Sequence, residues 1–134
     1  MGVKKSIVVD KNGAPLSIAV GPANRHDSKY YKDHLKEVCK LKGNKIMVLT
    51  ADSAYDSKAL RAESAANAIA LLASTNRRKR KDAVVFHPKS RWIVERTFGW
   101  LNWQRGIKFC WAKLQSSYQA LCTLACTMRV FNMI

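Results

Sequence analysis

The hydrophobic and polar pattern of the first seventy residues predicts short strands alternating with helices. Residues 4–9 and 14–20 are β-rich and flank an Asn-Gly turn, which is the strongest local signal for a β-hairpin. A helical pattern follows through about Leu41, with Asp27 or Ser28 placed as its N-cap. Residues 46–49 and 69–72 are short, continuous apolar runs, which predicts strands buried on both faces.

The remaining segments complete the predicted order β-β-α-β-α-β-loop-α-α. A helix is predicted over residues 57–67, and residues 74–90 form a polar, strongly basic loop. Ser90 is placed to cap a helix through about Arg105, and a last helix begins near Ser116. This order predicts an α/β (α+β) fold class, with one mixed sheet flanked by helices in a single domain over residues 1–134.

Composition changes this picture through its charge. The chain has 134 residues, 48% of them hydrophobic, which excludes a fully disordered protein. Lys and Arg number 24 against 9 Asp and Glu, for a net charge of +15. This balance favours a polyanionic partner, with nucleic acid the first choice and an acidic membrane surface the second.

The cysteines and the apolar stretches point to an intracellular protein. The four cysteines form no C-x-x-C pair, so we interpret Cys122 and Cys126 as small buried hydrophobes in a reducing cytosol. No secretory signal is visible, and polar residues interrupt the apolar stretch 120–134, which excludes a membrane span there. We expect a cytoplasmic protein without a membrane partner.

Two carboxylates are candidates for metal chemistry. Asp52 follows a predicted strand, and strand carboxyl ends line the crevice where α/β folds bind ligands. Glu95 shares one polar stripe of its predicted helix with Arg91, Gly99 and Asn102. Oxygen ligands of this kind suit Mg²⁺, and paired metals promote phosphodiester displacement.

Two motifs make this hypothesis more specific. Residues 51–57 read Ala-Asp-Ser-Ala-Tyr-Asp-Ser, and residues 90–101 read Ser-Arg-Trp-Ile-Val-Glu-Arg-Thr-Phe-Gly-Trp-Leu. Together with residues 9–16 and 22–28, they resemble bacterial insertion-sequence transposases of the DDE class, in insertion sequence family five and its relatives. The resemblance implies an RNase H-like fold and DNA transposition by metal-dependent cleavage and strand transfer. It also implies two Mg²⁺ or Mn²⁺ ions held by two Asp and one Glu.

Carried over by motif, Asp52 matches the second Asp and Glu95 the Glu of that acidic set. Arg91 and Arg96 match basic positions expected to contact DNA. The basic run, which consists of Arg77, Arg78, Lys79, Arg80 and Lys81, is predicted to contact phosphates without reading sequence. The expected partner is DNA in a bacterial nucleoid, with self-association or full-length transposase as a further partner.

The first Asp of the family lies on a strand upstream of the segment that begins at Lys4, as does a DNA-binding region. We therefore expect the carboxy-terminal part of a transposase, from a truncated copy or one frame of a split gene. The alternative is a catalytically inactive DNA-binding remnant that associates with full-length transposase through an open sheet edge. An RNA-binding structural protein also fits the charge but leaves the two motifs unexplained.

Simpler interpretations stand beside these assignments. Asp10 lies in the hairpin turn, where Asp is common, and Asp56 can cap the helix that follows it. Glu95 can be an i, i+4 partner of Arg91 on a solvated helix face. Tryptophans more often pack than stack on bases, and we expect Trp103 and Trp111 to be the most exposed of the four.

Overall fold

The computed structural model describes residues 2–74 and 91–134, which form a mixed α/β structure. The chain divides into two compact units, one of Met1–His26 with Ser90–Ile134 and the other of Asp27–Lys89. The described elements are β1 (Val3–Val9), β2 (Pro15–Pro22), α1 (Tyr31–Lys42), β3 (Met47–Ala51), α2 (Lys58–Ala66), β4 (Ile69–Ala73), α3 (Arg91–Asn102), α4 (Arg105–Lys108) and α5 (Gln115–Phe131). Short 3-10 helices span Asp27–Tyr30 and Ser53–Tyr55.

The predicted hairpin is confirmed. Strands β1 and β2 pair antiparallel, with Ile7 opposite Ile18 in the register. The turn is closed by Gly13 N–H, which donates to the carbonyl of Asp10 at 3.0 Å. Gly13 has a φ of +88°, which residues with a Cβ rarely adopt. The turn therefore requires glycine at this position, as the Asn-Gly pair predicts.

Helix α5 covers the outer edge of β2 with two glutamine side chains. The Gln119 carboxamide accepts from Val20 N–H at 2.8 Å and donates to the carbonyl of Ile18 at 2.8 Å. Gln115 Nε2 donates to the carbonyl of Val20 at 3.0 Å. An edge strand with open N–H and C=O groups is a site for unwanted pairing, and these side chains occupy those groups.

The core of this unit lies beneath the hairpin and α5. Its buried side chains are Val20, Leu101, Ile107, Tyr118, Cys122, Ala125 and Cys126. The prediction that the two helical cysteines are buried hydrophobes is confirmed, and burial raises the pKa of Cys126 to about 11. Among the described residues, no helix combines the length and apolar character that crossing a membrane requires.

The other unit contains a parallel strand pair joined through a helix. Strands β3 and β4 run parallel, from Met47 opposite Ile69 to Ala51 opposite Ala73, and α2 packs against β4. The hydroxyls of Tyr31 and Ser64 share a buried hydrogen bond between α1 and α2. The predicted strand-helix-strand order is confirmed here.

Two predictions about the strands are wrong. Val48 is 60% exposed and Leu72 45% exposed, so β3 and β4 are not buried on both faces. Their exposed and covered positions alternate because α2 packs on one side of the pair. Hydrogen bonds between described strands form two two-stranded sheets, β1-β2 and β3-β4, rather than one mixed sheet. Local periodicity identifies strands but does not specify which strands pair.

The helix boundaries need two corrections. Asp27 begins a 3-10 helix, and the residue at the N-cap of α1 is Tyr30. Helix α3 ends at Asn102 instead of continuing to about Arg105. The predicted cap at Ser90, and all of the predicted loop except Ser74, lie outside the described residues.

Candidate functional site

Asp52 directly follows β3, as predicted, and its side chain is exposed. Its Oδ1 accepts the backbone N–H of Ser53 at 2.6 Å, so Asp52 caps the 3-10 helix that turns the chain away from the strand. This hydrogen bond uses one oxygen, and an ionised carboxylate offers about four lone-pair sites. The placement at a strand end therefore leaves Asp52 able to bind a cation.

Asp56 has a structural role different from the predicted helix cap. Its Oδ1 lies 2.8 Å from Nη2 of Arg61, and the N-cap position of α2 is taken by Ser57. Arg61 Nη2 also reaches the carbonyl of Ala73, at the end of β4, at 3.4 Å. The Asp56 carboxylate thus positions an arginine that ties α2 to its neighbouring strand.

Glu95 lies on α3 as the i, i+4 partner of Arg91. Glu95 Oε1 and Arg91 Nε are 3.4 Å apart, and the two side chains are 68% and 73% exposed. An ion pair this exposed contributes at most about 1 kcal/mol, so it does not hold the carboxylate in place. Glu95 and Asp52 belong to different compact units.

Arg96 contacts the hairpin turn. Its Nη2 donates to the carbonyl of Asn12 at 2.7 Å, and its guanidinium lies 4.8 Å from the ring centre of Trp92. Arginine has five N–H donors, and the residue as a whole is exposed. One donor therefore anchors α3 to the turn, and contact between the remaining donors and DNA stays a prediction.

Two further candidates from the sequence are Asp10, which lies in the hairpin turn, and the basic run. Asp10 Oδ1 accepts the backbone N–H groups of Asn12 and Ala14 at 2.9 and 2.8 Å, as expected for a turn aspartate. The basic run at residues 77–81 lies outside the described residues.

Comparison with known proteins identifies the family. The sequence matches the family described as Transposase DDE domain over residues 1–129. The chain belongs to the DDE transposase family. A candidate transposase for insertion sequence element IS402, from Burkholderia cepacia, is 28% identical over 137 residues, which cover 98% of this chain and 64% of that protein. No solved structure matches the chain.

DDE transposases act on DNA and generally use divalent metal ions. Asp52 and Glu95 suit such an ion by donor chemistry, because both are exposed carboxylates with hard oxygen donors. Within residues 2–74 and 91–134, no three His, Cys, Asp or Glu side chains are grouped as a metal site. The described residues therefore supply individual carboxylates of a suitable donor type, and metal binding by Asp52 and Glu95 stays a prediction.

One surface feature of the chain is not predicted by the sequence pattern. A cleft of about 410 Å³ is lined by Gly99, Asn102, Trp103, Arg105, Lys108 and Phe109, which we call the α3–α4 cleft. The predicted exposure of Trp103 and Trp111 is confirmed, at 88% and 79%. Residues 103–111 combine three aromatic and two basic side chains, and that mixture is the available sequence signal for the cleft.

Proposed function

We propose that this chain is part of a DDE transposase catalytic domain with an RNase H-like fold, which cleaves and joins DNA at insertion-sequence ends. Asp52 and Glu95 are the proposed ligands for Mg²⁺ or Mn²⁺. A bound metal pair would supply an activated water and stabilise the leaving oxygen of the phosphodiester. The family match over residues 1–129 is the observation that carries this proposal.

The geometry of the two carboxylates supports their assignment. The Asp52 carboxylate accepts a hydrogen bond from the backbone N–H of Ser53, which orients it at the end of β3. Glu95 is exposed on α3, whose following residue, Arg96, anchors the helix to the hairpin turn. Each carboxylate therefore projects from an element fixed by its own unit.

Arg91, Arg96 and the basic run are the proposed phosphate contacts. Together these seven cations would neutralise several backbone phosphates, which makes DNA binding strongly dependent on salt. Nucleoid association in the bacterial cell would follow from such binding. The single domain over residues 1–134 is proposed on the same family match.

We assign no residue of this chain to the first Asp of the family's acidic set, and the described residues group no third carboxylate with Asp52 or Glu95. Asp10 is a weaker substitute because its Oδ1 already accepts two backbone N–H groups of the turn. A second candidate function follows from this point. With only two of three ligands, the chain would be an inactive DNA-binding remnant that associates with full-length transposase.

Nicking of supercoiled plasmid by the purified chain, in Mg²⁺ and in Mn²⁺, tests both candidates. Glu95→Gln and Asp52→Asn should abolish metal-dependent nicking and leave plasmid binding intact. Glu37→Gln is the matched control, because Glu37 is an exposed helical Glu paired with Lys40 at 2.7 Å. Nicking that survives both site substitutions would refute the site, whereas plasmid binding without nicking by the parent chain would favour the inactive remnant.

A further inference from the structure

We propose that the α3–α4 cleft binds single-stranded DNA, with an unpaired base stacked on Trp103 and phosphates contacted by Arg105 and Lys108. This inference rests on the proposed function and deepens it, because it specifies the form of DNA that the unit of residues 1–26 and 90–134 recognises. Two kinds of side chain and one glycine make the cleft suitable for this ligand.

The exposed indole of Trp103 supplies the stacking surface. Trp103 is 88% exposed and lines the cleft together with Phe109, whose ring already lies 5.5 Å from Lys108 Nζ and 6.5 Å from the ring of Trp111. Every base has a flat π-face, and stacking on an exposed aromatic ring binds single strands with little sequence preference. Bases inside a duplex are already stacked on one another, so the cleft selects unpaired nucleotides.

The charge of the cleft is complementary to a phosphate backbone. Arg105 and Lys108 line it, and none of its six lining residues is acidic. Lys5 Nζ, from β1, donates to Oδ1 of Asn102 at 2.8 Å and adds a third cation beside the cleft. The bond from Lys5 orients the Asn102 amide with its oxygen toward β1, and its NH₂ group carries two donors that suit a base edge or a phosphate.

The cleft lies along the same stripe of α3 as Glu95. Gly99 is one turn after Glu95, which corresponds to a rise of about 6 Å along the helix. A strand held in the cleft would therefore run close to the carboxylate that we assign to catalysis. The unpaired nucleotide would lie beside the reacting phosphodiester.

Gly99 keeps the cleft open. A Cβ at this position would meet nothing within 4 Å, so a side chain there would enter the open space of the cleft rather than strain the fold. A glycine inside a helix costs about 1 kcal/mol relative to alanine. An open binding surface is a reason for a glycine at this otherwise unfavourable position.

Fluorescence anisotropy with labelled oligothymidylate and with a duplex of equal length, both in EDTA, tests the proposal without metal. Trp103→Ala should weaken binding of the single strand roughly tenfold or more, and Trp103→Phe should restore most of it. Gly99→Leu, which fills the cleft, should cause a similar loss while the thermal unfolding midpoint is maintained. Phe131→Ala is the control, since Phe131 on α5 is 77% exposed and does not line the cleft.

Three outcomes would overturn the proposal. Unchanged single-strand binding by folded Trp103→Ala and Gly99→Leu would show that the cleft is not the site, and the Asp52 and Glu95 assignments would stand on their own nicking assay. An equal loss in Phe131→Ala would show that exposed aromatic rings in general, and not the cleft, bind the single strand. Tighter binding of oligouridylate than of oligothymidylate would show that the cleft prefers RNA to DNA.

Discussion

Arg96 Nη2 donates a hydrogen bond to the carbonyl oxygen of Asn12 at 2.7 Å, and this contact joins α3 to the β1–β2 turn across 84 positions of sequence. The next residue, Thr97, donates from its buried hydroxyl to the carbonyl of Gly13 at 2.9 Å. Two consecutive side chains after Glu95 thus hold the helix against the turn. The position of the proposed catalytic carboxylate depends on this anchor.

Gly13→Ala should destabilise the protein by about 2–3 kcal/mol, since a left-handed backbone penalty adds to steric crowding. A Cβ at Gly13 would lie 2.8 Å from Arg96 Nη2 and 3.1 Å from Thr97 Oγ1, and φ there is +88°. Urea unfolding measures the change. Gly99→Ala is the control, and should leave stability equal or increase it by up to about 1 kcal/mol. Equal effects of the two substitutions would contradict this account of the turn.

Gln119→Leu should destabilise the protein by roughly 2–3 kcal/mol, because it removes two hydrogen bonds to β2 and leaves those backbone groups partly buried. Gln115→Leu removes one bond to the same strand and should cost only about 1 kcal/mol. Urea unfolding orders the two variants, and light scattering would report aggregation through the uncovered strand edge. A larger loss for Gln115→Leu would refute the assigned roles.

Stability should fall as the pH is lowered from 6.5 to 4, because burial lowers the pKa of His34 to about 4. In the unfolded chain His34 has its ordinary pKa of 6.5, so in this range the unfolded state binds more protons than the folded state. The loss amounts to at most about 3 kcal/mol. Urea unfolding at several pH values should show a flatter dependence of stability on pH for His34→Gln than for the parent chain. If His34→Gln keeps the pH dependence of the parent chain, other titratable groups cause the loss of stability.

Arg91→Ala should change stability by less than about 0.5 kcal/mol, because its pair with Glu95 is exposed. The same substitution should weaken DNA binding and reduce the slope of log affinity against log salt by about one. Lys40→Ala is the matched control, since Lys40 belongs to an exposed helical pair with Glu37. If the two variants show the same slope of log affinity against log salt, Arg91 does not contact a phosphate.

Local patterns in the sequence determined the elements and the type of chemistry. The Asn-Gly pair placed the β1–β2 hairpin, and apolar periodicity placed α1, α2, α3 and α5 to within a few residues. The motifs around Asp52 and Glu95 indicated the family to which the match over residues 1–129 assigns the chain. Turn geometry, helical periodicity and motif spacing are properties of neighbouring residues, so a single sequence carries them.

Only the tertiary structure decided which hydrogen-bonding groups pair when they are far apart in sequence. The parallel pairing of β3 with β4, the hydrogen bonds from Gln119 to β2, and the hydrogen bond from Arg96 to the Asn12 carbonyl each join segments that are not neighbours in sequence. The α3–α4 cleft also requires the end of α3 to lie against α4, with Gly99 leaving the space between their side chains open. Buried and partly buried polar groups must find partners wherever the folded chain brings them, and no local pattern specifies those partners.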